Sequence, residues 1–422
     1  AAAGMVSLGK TSTPEFGSPC YTEPEGAPPA VTPWDTSRMA GGSSGGSAVM
    51  RDFVPDVSDE VVLRIEQAGL VSLGKTATPE FGSPCYTEPE GAPPAVTPYD
   101  TTRMAGGSSG GAATAVAAGL VPLAQGSDGG GSIRIPASCC GLVGFKPTRG
   151  VISPAPAYGD PIGLATNGPL ARTVRDAAAL LDVMAGRAVG DPTWAPTEPY
   201  LPACDRPPGR LRVARFVDPV IADVEIDPAC RAAWEDASRL LEELGHDVED
   251  VPVPISPDAV PVFETCWAVL TALTPLPPEA QAGLRPLTRW LTARGEAVSG
   301  PEFGRAIGEL RRVAAQALTA LAAYDVVLTP TLAVPPLPVG AIRDDEHPER
   351  DFENQKRFTP YTSAWNITGM PAVSLPLHMT PEGLPVGVML AGRPGEDAAL
   401  LSLAAQVEEA RPWRDVHPPR WR

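Results

Sequence analysis

A stretch of 45 residues occurs twice in this 422-residue chain, and two near-identical segments cannot both fill the one place such a segment would take in a single core. Residues 4–48 and 69–113 align at an offset of 65 and agree at 40 of 45 positions, differing at Met5/Leu70, Ser12/Ala77, Trp34/Tyr99, Ser37/Thr102 and Ser47/Ala112. A solenoid diverges between copies and continues past two. The pattern therefore reads as a recent duplication or an error of sequence assembly. The two copies lead into different sequence. After the second, AATAVAAGLVPLA reads as an Ala-rich helix giving way to a short apolar strand, then the loop QGSDGGGSIRIP. After the first, the chain jumps at about Met50 into RDFVPDVSDEVVLRIEQAGL, where Val61, Val62, Ile65 and Leu70 have roughly helical spacing. Only the second copy sits in a context that can complete a site.

Further along, Thr173 to Ala185 reads as a helix whose apolar face is Val174, Ala178, Leu180 and Leu181. Strands are expected at Leu211–Phe216, Asp325–Leu328, Ala372–Leu375 and Pro385–Leu390, and helices at Cys230–Leu244, Pro301–Ala323 and Asp397–Glu409. Helices alternating with short apolar strands predict an α/β layered fold around a mixed sheet. With 51 Pro and 42 Gly, such a fold has many loops, yet 43% hydrophobic residues are enough for a sizeable core.

The net charge of −17 repels phosphate backbones and anionic lipid, so neither nucleic acid nor a membrane surface is an expected partner. No run of eighteen apolar residues is present, and AAAGMVSLGK lacks the basic-then-apolar order of a secretory leader. A soluble cytoplasmic protein is the expectation. The seven cysteines include the repeat-equivalent Cys20 and Cys85 and the adjacent Cys139 and Cys140, with no C-x-x-C pair. Neither a metal site nor a disulfide framework follows from them; reduced, mostly buried thiols do.

Two serine-glycine clusters carry the chemistry: Gly106-Gly107-Ser108-Ser109-Gly110-Gly111 and Gly126-Ser127-Asp128-Gly129-Gly130-Gly131-Ser132-Ile133-Arg134. Three successive glycines let the backbone turn several N–H groups toward one point, as an oxyanion hole requires. A serine directly after them stands where its hydroxyl can attack a carbonyl held by those amides. A lone Gly-rich stretch is as often a linker or an anion-binding turn. Here the preceding strand and the following IRIP argue against a linker.

GGSSGG, then GSDGGGSIRIPASCCGLVGFKPTRG, and finally SAWNITGMPAVSLPLHMTPEGLPVGVMLAGRPGEDAALL together resemble the amidase signature family over about residues 51–415. The resemblance implies that family's fold, a mixed central sheet covered by helices on both faces, with residues 1–50 as a duplicated segment rather than a domain. It implies hydrolysis of a small-molecule carboxamide to acid and amine or ammonia without metal or organic cofactor. Ser132 matches the nucleophile, and Ser108, 24 residues earlier, matches the serine whose peptide bond with Gly107 is cis. A neutral lysine would take the proton through Ser108, and the backbone around Gly129, Gly130, Gly131 and Ser132 would hold the oxyanion of an acyl transfer. Asp128 and Arg134 are expected to brace the loop as an ion pair, and Ser109 to hydrogen-bond within it. FGSPCYTEPEGAPP is similar to the branch of the family acting on cyclic or linear aminohexanoate oligomers. A homodimer is common in the family, though the sequence itself does not show the oligomeric state.

The lysine breaks the pattern. In the family it lies some seventy to eighty residues before the bridging serine, which here falls on residues 28–38, PPAVTPWDTSR, without a lysine. The chain has four in all: Lys10 and Lys75 in the GKT turns of the two copies, Lys146 in GFKPT and Lys356 in the polar DFENQKRF. A base must be desolvated for its pKa to fall, which a loop lysine is not. The expectation is that the first copy has replaced the segment carrying the base, with little or no turnover as the result. This favours a second reading, a non-catalytic protein that keeps an amidase-like pocket; a protein like the amidase subunit of a tRNA-dependent amidotransferase is a third. Gly106-Gly107-Ser108-Ser109-Gly110 also fits G-x-S-x-G, but that elbow needs a preceding strand, which DTTRMA does not suggest, and a histidine, and none of His246, His347, His378 and His417 carries a motif. His246, in ELGHDVED, is expected at the surface.

Overall fold

The computed structural model describes residues 46–50, 57–276 and 278–419. Nearly all of the first copy, with Lys10 and the segment 28–38, lies outside the described residues. The unique sequence after it forms α1 (Glu60–Gln67), whose Val61 is buried in the main core. Arg64 of α1 donates from Nη1 to the Ala185 carbonyl at 2.8 Å, and the Glu60 amide donates to the Ala155 carbonyl at 2.9 Å.

The second copy then builds a two-stranded ribbon, β1 (Val96–Thr97) and β2 (Asp100–Met104), followed by α2 (Gly110–Ala117). The polar DTTRM is therefore a strand, contrary to the sequence reading, although it pairs with β1 and not with the main sheet. Its β-branched threonines tolerate the extended backbone, and Asp100 accepts from Thr102 and Arg103 across the strand start.

The main sheet takes β3 (Leu123–Asp128), β4 (Val143–Lys146), β5 (Thr166–Ala171), β6 (Arg212–Arg215), β7 (Asp247–Asp250), β8 (Val326–Pro330), β9 (Ala372–Met379) and β10 (Pro385–Gly392). Its order is β3-β5-β4-β9-β10-β8-β6-β7, antiparallel from β3 to β8 and parallel across β8, β6 and β7. The mixed α/β sheet expected from the sequence is thus present. The predicted strands recur within a few residues of their expected bounds, as do α4 (Val174–Met184), α5 (Pro228–Glu243), α8 (Gly300–Ala320) and α11 (Asp397–Ala410). Not foreseen were α6 (Ala259–Ala272), α7 (Pro286–Glu296), α9 (Pro348–Phe358) and the short α10 (Ala364–Thr368). The polar DFENQKRF belongs to α9, whose Asp351, Phe352 and Phe358 are buried, Asp351 accepting from the Tyr86 hydroxyl at 2.6 Å.

Alternation along the strands divides the packing. Gly144 of β4 and Gly387 of β10 face α3 (Arg134–Cys140), and a Cβ on Gly144 would lie 2.5 Å from that of Ala137. The flanking Val143, Phe145, Val388 and Leu390 join a second layer with α4, α5 and α11. His246 is also in this layer and not at the surface: it is buried, its Nδ1 accepts from the Leu211 amide at 3.2 Å, and its Nε2 meets Gln406 Oε1 at 2.9 Å. The six described cysteines are unpaired, and five of them are buried. Among the described residues no helix is long and apolar enough to cross a membrane.

Phe145 is fully buried between the sheet and α4. Phe145→Ala is expected to lower unfolding free energy by about 3–5 kcal/mol, the cost of transfer plus cavity, measurable as a drop in the urea midpoint at constant m-value.

Candidate active site

The second serine-glycine cluster begins where β3 ends, and Asp128, the last residue of that strand, organises the turn after it. Its Oδ1 accepts from the Gly131 amide at 2.8 Å and its Oδ2 from the Ile133 amide at 3.2 Å, so the chain folds back around the carboxylate. Arg134 closes the loop with Nε on Oδ2 at 3.0 Å and Nη2 on Oδ1 at 2.8 Å, both side chains fully buried. Burial alone would raise the Asp128 carboxyl, but Arg134, Lys146 and the Asn366 hydrogen bond together outweigh it and hold the pKa below the ordinary range. The expected ion pair is present, and it is part of a larger network. Asn366 of α10 donates to the Asp128 carbonyl and Oδ1, each at 2.9 Å, and accepts from Arg134 Nη2 at 2.7 Å. Thr362 supplies its carbonyl to Arg134 Nη1 at 2.7 Å and its hydroxyl to the Gly130 carbonyl at 2.6 Å.

Gly131 must be glycine. Its φ is +135°, and a Cβ would lie 2.4 Å from Thr362 Oγ1. Its amide is already engaged by Asp128, whereas among the described residues no hydrogen bond is found from the amides of Gly129, Gly130 and Ser132.

The first cluster lies directly against this loop. Ser109 donates its amide to the Ser132 carbonyl at 3.1 Å, and its hydroxyl lies 3.2 Å from the Ser127 amide and 3.3 Å from the Ser127 carbonyl. Ser109 thus hydrogen-bonds to the loop as expected and joins the two clusters side by side. The Gly107–Ser108 peptide is cis, as the resemblance implied. Thr87, from the FGSPCYTEPE part of the repeat, cradles this turn: its hydroxyl reaches the Gly106 carbonyl at 2.9 Å and receives the Gly110 amide at 3.2 Å. Ser108 is 3% exposed and Ser132 7%, and a Cβ on Gly82 would lie 3.3 Å from Ser108 Oγ. A strand, β2, does precede GGSSGG, but it pairs with β1 outside the main sheet, and none of the four histidines lines the cleft beside Ser132.

That cleft encloses about 710 Å³ including its open mouth. Ser132 and Gly130 lie on one wall, and Phe263, Trp267, Ile255 and Phe352 are among the apolar residues opposite and around them. Trp267 stacks on Phe263 with centroids 5.6 Å apart, and its indole NH donates to Ser83 Oγ at 3.3 Å. The ring also covers the glycine turn, since a Cβ on Gly129 would meet it at 3.5 Å.

The lysines divide differently from the sequence expectation. Lys146 is on β4 rather than in a loop and is fully buried. Burial, with the nearby Arg134 charge, pushes its pKa down to about 7 against the pull of Asp128 and Asp397. It does not line the cleft, and its ammonium donates to the Pro147 carbonyl at 2.9 Å. Lys356 does line the cleft, but Glu264 at 2.7 Å and Glu353 at 2.6 Å outweigh its burial and raise its pKa.

Comparison with known proteins shows the family of the chain. The family model described as Amidase matches residues 1–51 and 49–401. The chain belongs to the amidase signature family. A 6-aminohexanoate-cyclic-dimer hydrolase of Paenarthrobacter ureafaciens is 38% identical over 374 residues, covering 83% of this chain and 76% of that protein. A putative amidase of Synechocystis sp. is 37% identical over 370 residues, 86% of this chain and 71% of its own length. Among solved structures, 6-aminohexanoate cyclic dimer hydrolase complexed with substrate superposes with TM-score 0.83 at 35% identity, covering 92% of this chain and 85% of that one. A glutamyl-tRNA(Gln) amidotransferase subunit from Thermotoga maritima reaches TM-score 0.73 at 29% identity over 90% of this chain and 82% of its own. The two-part family match follows the repeat: the amidase signature sequence is entered once by the first copy and again by the rest of the chain.

Removing one member of the buried pair leaves a charge without compensation. Arg134→Met is expected to cost about 3–5 kcal/mol, seen as a lowered thermal midpoint. Lys146 makes a second prediction. Its folded pKa, about 7, lies below its ordinary 10.5, so between those values the unfolded chain binds more protons. Stability contributed by this residue therefore rises with pH from about 7 to 10.5, and Lys146→Met should flatten that part of the stability profile.

Proposed function

We propose that this protein carries a serine amidase site in which Ser132 attacks a carboxamide carbonyl, the C–N bond breaks, the amine or ammonia leaves with the Ser132 proton, and water then hydrolyses the acyl-enzyme to the acid. The observation that carries the reading is the position of Ser132. It opens into an apolar cleft directly after a glycine turn that the Asp128–Arg134–Asn366 network holds rigid, with Ser108 and Ser109 in the adjoining cluster. In this mechanism Ser108 relays the Ser132 proton. The oxyanion is held by the amides of Gly129, Gly130 and Ser132, since Asp128 already occupies that of Gly131. Preorganised amides of this kind act without reorganising during the reaction, which is why the loop needs its buried brace. The similarity to a 6-aminohexanoate-cyclic-dimer hydrolase supports a small aliphatic amide as substrate.

The weak member of this site is the base. Residues 28–38 contain no lysine, Lys146 does not line the cleft, and Lys356 is held cationic by two carboxylates. Slow turnover follows, and the same observation supports the second reading, a protein that binds amides without hydrolysing them.

A fluorophosphonate probe followed by peptide mapping separates the two. Labelling at Ser132 that Ser132→Ala abolishes, slowed at least roughly a hundredfold by Ser108→Ala as expected for loss of a proton relay, supports the amidase. A folded chain that stays unlabelled excludes it and leaves the binding reading. If the missing base limits turnover, replacing residues 1–50 by an apolar strand that ends in Val-Lys raises it; a folded replacement that stays inert refutes that explanation.

A further inference from the structure

The cleft beside Ser132 is mostly apolar, with a few uncharged polar groups such as Ser83 and Gln355, and its charged residues, Glu264 and Lys356, belong to a built network. Lys356 on α9 and Glu264 on α6 both line the cleft, each side chain 17% exposed and 2.7 Å apart. Behind Glu264 stands Arg294 of α7 at 3.5 Å, itself over the Trp290 ring at 4.6 Å. Three helices therefore converge to hold a lysine and a carboxylate in the wall of a pocket that apolar residues would otherwise complete. A buried wall of this kind costs desolvation, and an apolar pair of similar volume would close the pocket at least as stably.

The partners of Lys356 are unequal. Glu264 is enclosed and shared with Arg294, whereas Glu353 is 51% exposed, one turn before Lys356 on the same helix, and does not line the cleft. Exposed pairs of that spacing contribute little, because solvent screens them and two long side chains must be ordered. Glu353 is thus the replaceable partner, and the position it vacates would leave one cation facing the cleft. The Glu264 charge is already matched by two cations, so it does not bar a further anion.

Resting on the amidase reading of the same cleft, the geometry points to Lys356 as a specificity residue for amides that carry a carboxylate at the far end of an apolar chain. The chain lies between Phe263, Trp267 and Phe352, its amide at Ser132, and its carboxylate meets the Lys356 ammonium from the cleft side, releasing Glu353 to solvent. The substrate class is a linear ω-carboxyl amide rather than a neutral one.

Binding tests this apart from catalysis. In the Ser132→Ala background, a series of ω-carboxyl amides of graded chain length and their methyl esters is titrated by calorimetry, on otherwise unchanged protein, on Lys356→Met and on Lys356→Arg. The expected result is a carboxylate preference of roughly tenfold in Kd at the best length, the scale of one charge-assisted hydrogen bond. Lys356→Met loses that preference with ester binding retained, and Lys356→Arg keeps it. Equal affinity for acids and esters overturns the proposal, and so does a preference that survives Lys356→Met, because the carboxylate then binds elsewhere. Loss of ester binding in both Lys356 variants also overturns it, as the residue is then only structural. The two readings fail separately. Ser132 labelling without a carboxylate preference leaves the amidase and removes the subsite; a preference without labelling leaves the subsite in a binding protein.

Discussion

The buried Asp128–Arg134 pair is the interaction on which the site depends. A carboxylate with no exposure is stable only when every lone pair is used, and here two backbone amides, a guanidinium and the Asn366 amide use them. Satisfying the charge bends the chain between β3 and α3 into a turn that presents Ser132, so one electrostatic requirement sets the loop's shape. The same requirement couples distant parts of the sequence. Thr362 and Asn366 lie more than two hundred residues from Asp128, and without them the buried Arg134 guanidinium would lose two of its hydrogen-bond acceptors.

Local signals made much of this legible. Glycine runs mark backbone that must turn, and the flanking apolar periods mark strands and helices, so both serine clusters and most sheet strands can be located from residue pattern alone. Asp128 and Arg134 could be paired because they stand six residues apart within one motif. The contacts that escaped are those made across the fold. Nothing near Thr87 indicates that its hydroxyl would support GGSSGG, although both lie within the repeat. Trp267 is one of eight tryptophans, with no local sign that it would cover the glycine turn. Thr362 and Asn366 did lie in or beside the tail that resembled the family, which was the one available hint.

The departures at Lys146, His246 and the DTTRM strand share one cause: the polarity of their sequence neighbours suggests a loop or a surface, and tertiary packing overrides it in each case. GFKPT reads as a loop, yet Lys146 ends β4 and is fully buried. ELGHDVED looks like a surface turn, yet Gln406 and the Leu211 amide satisfy the imidazole inside. Charge along the chain predicts exposure only where no partner arrives from elsewhere.

The helix between the two copies gives the duplication a weight that repetition alone would not. Crossing-over between repeats that share 40 of 45 residues would excise one 65-residue period and restore a single uninterrupted copy. The shortened product would keep every residue of both serine clusters. It would also lose α1, and with it the Val61 side chain in the core and the Arg64 contact to the end of α4. The insertion therefore cannot be undone silently: the unique residues that separate the copies have become part of the fold, and a genetic reversion would register as a loss of stability.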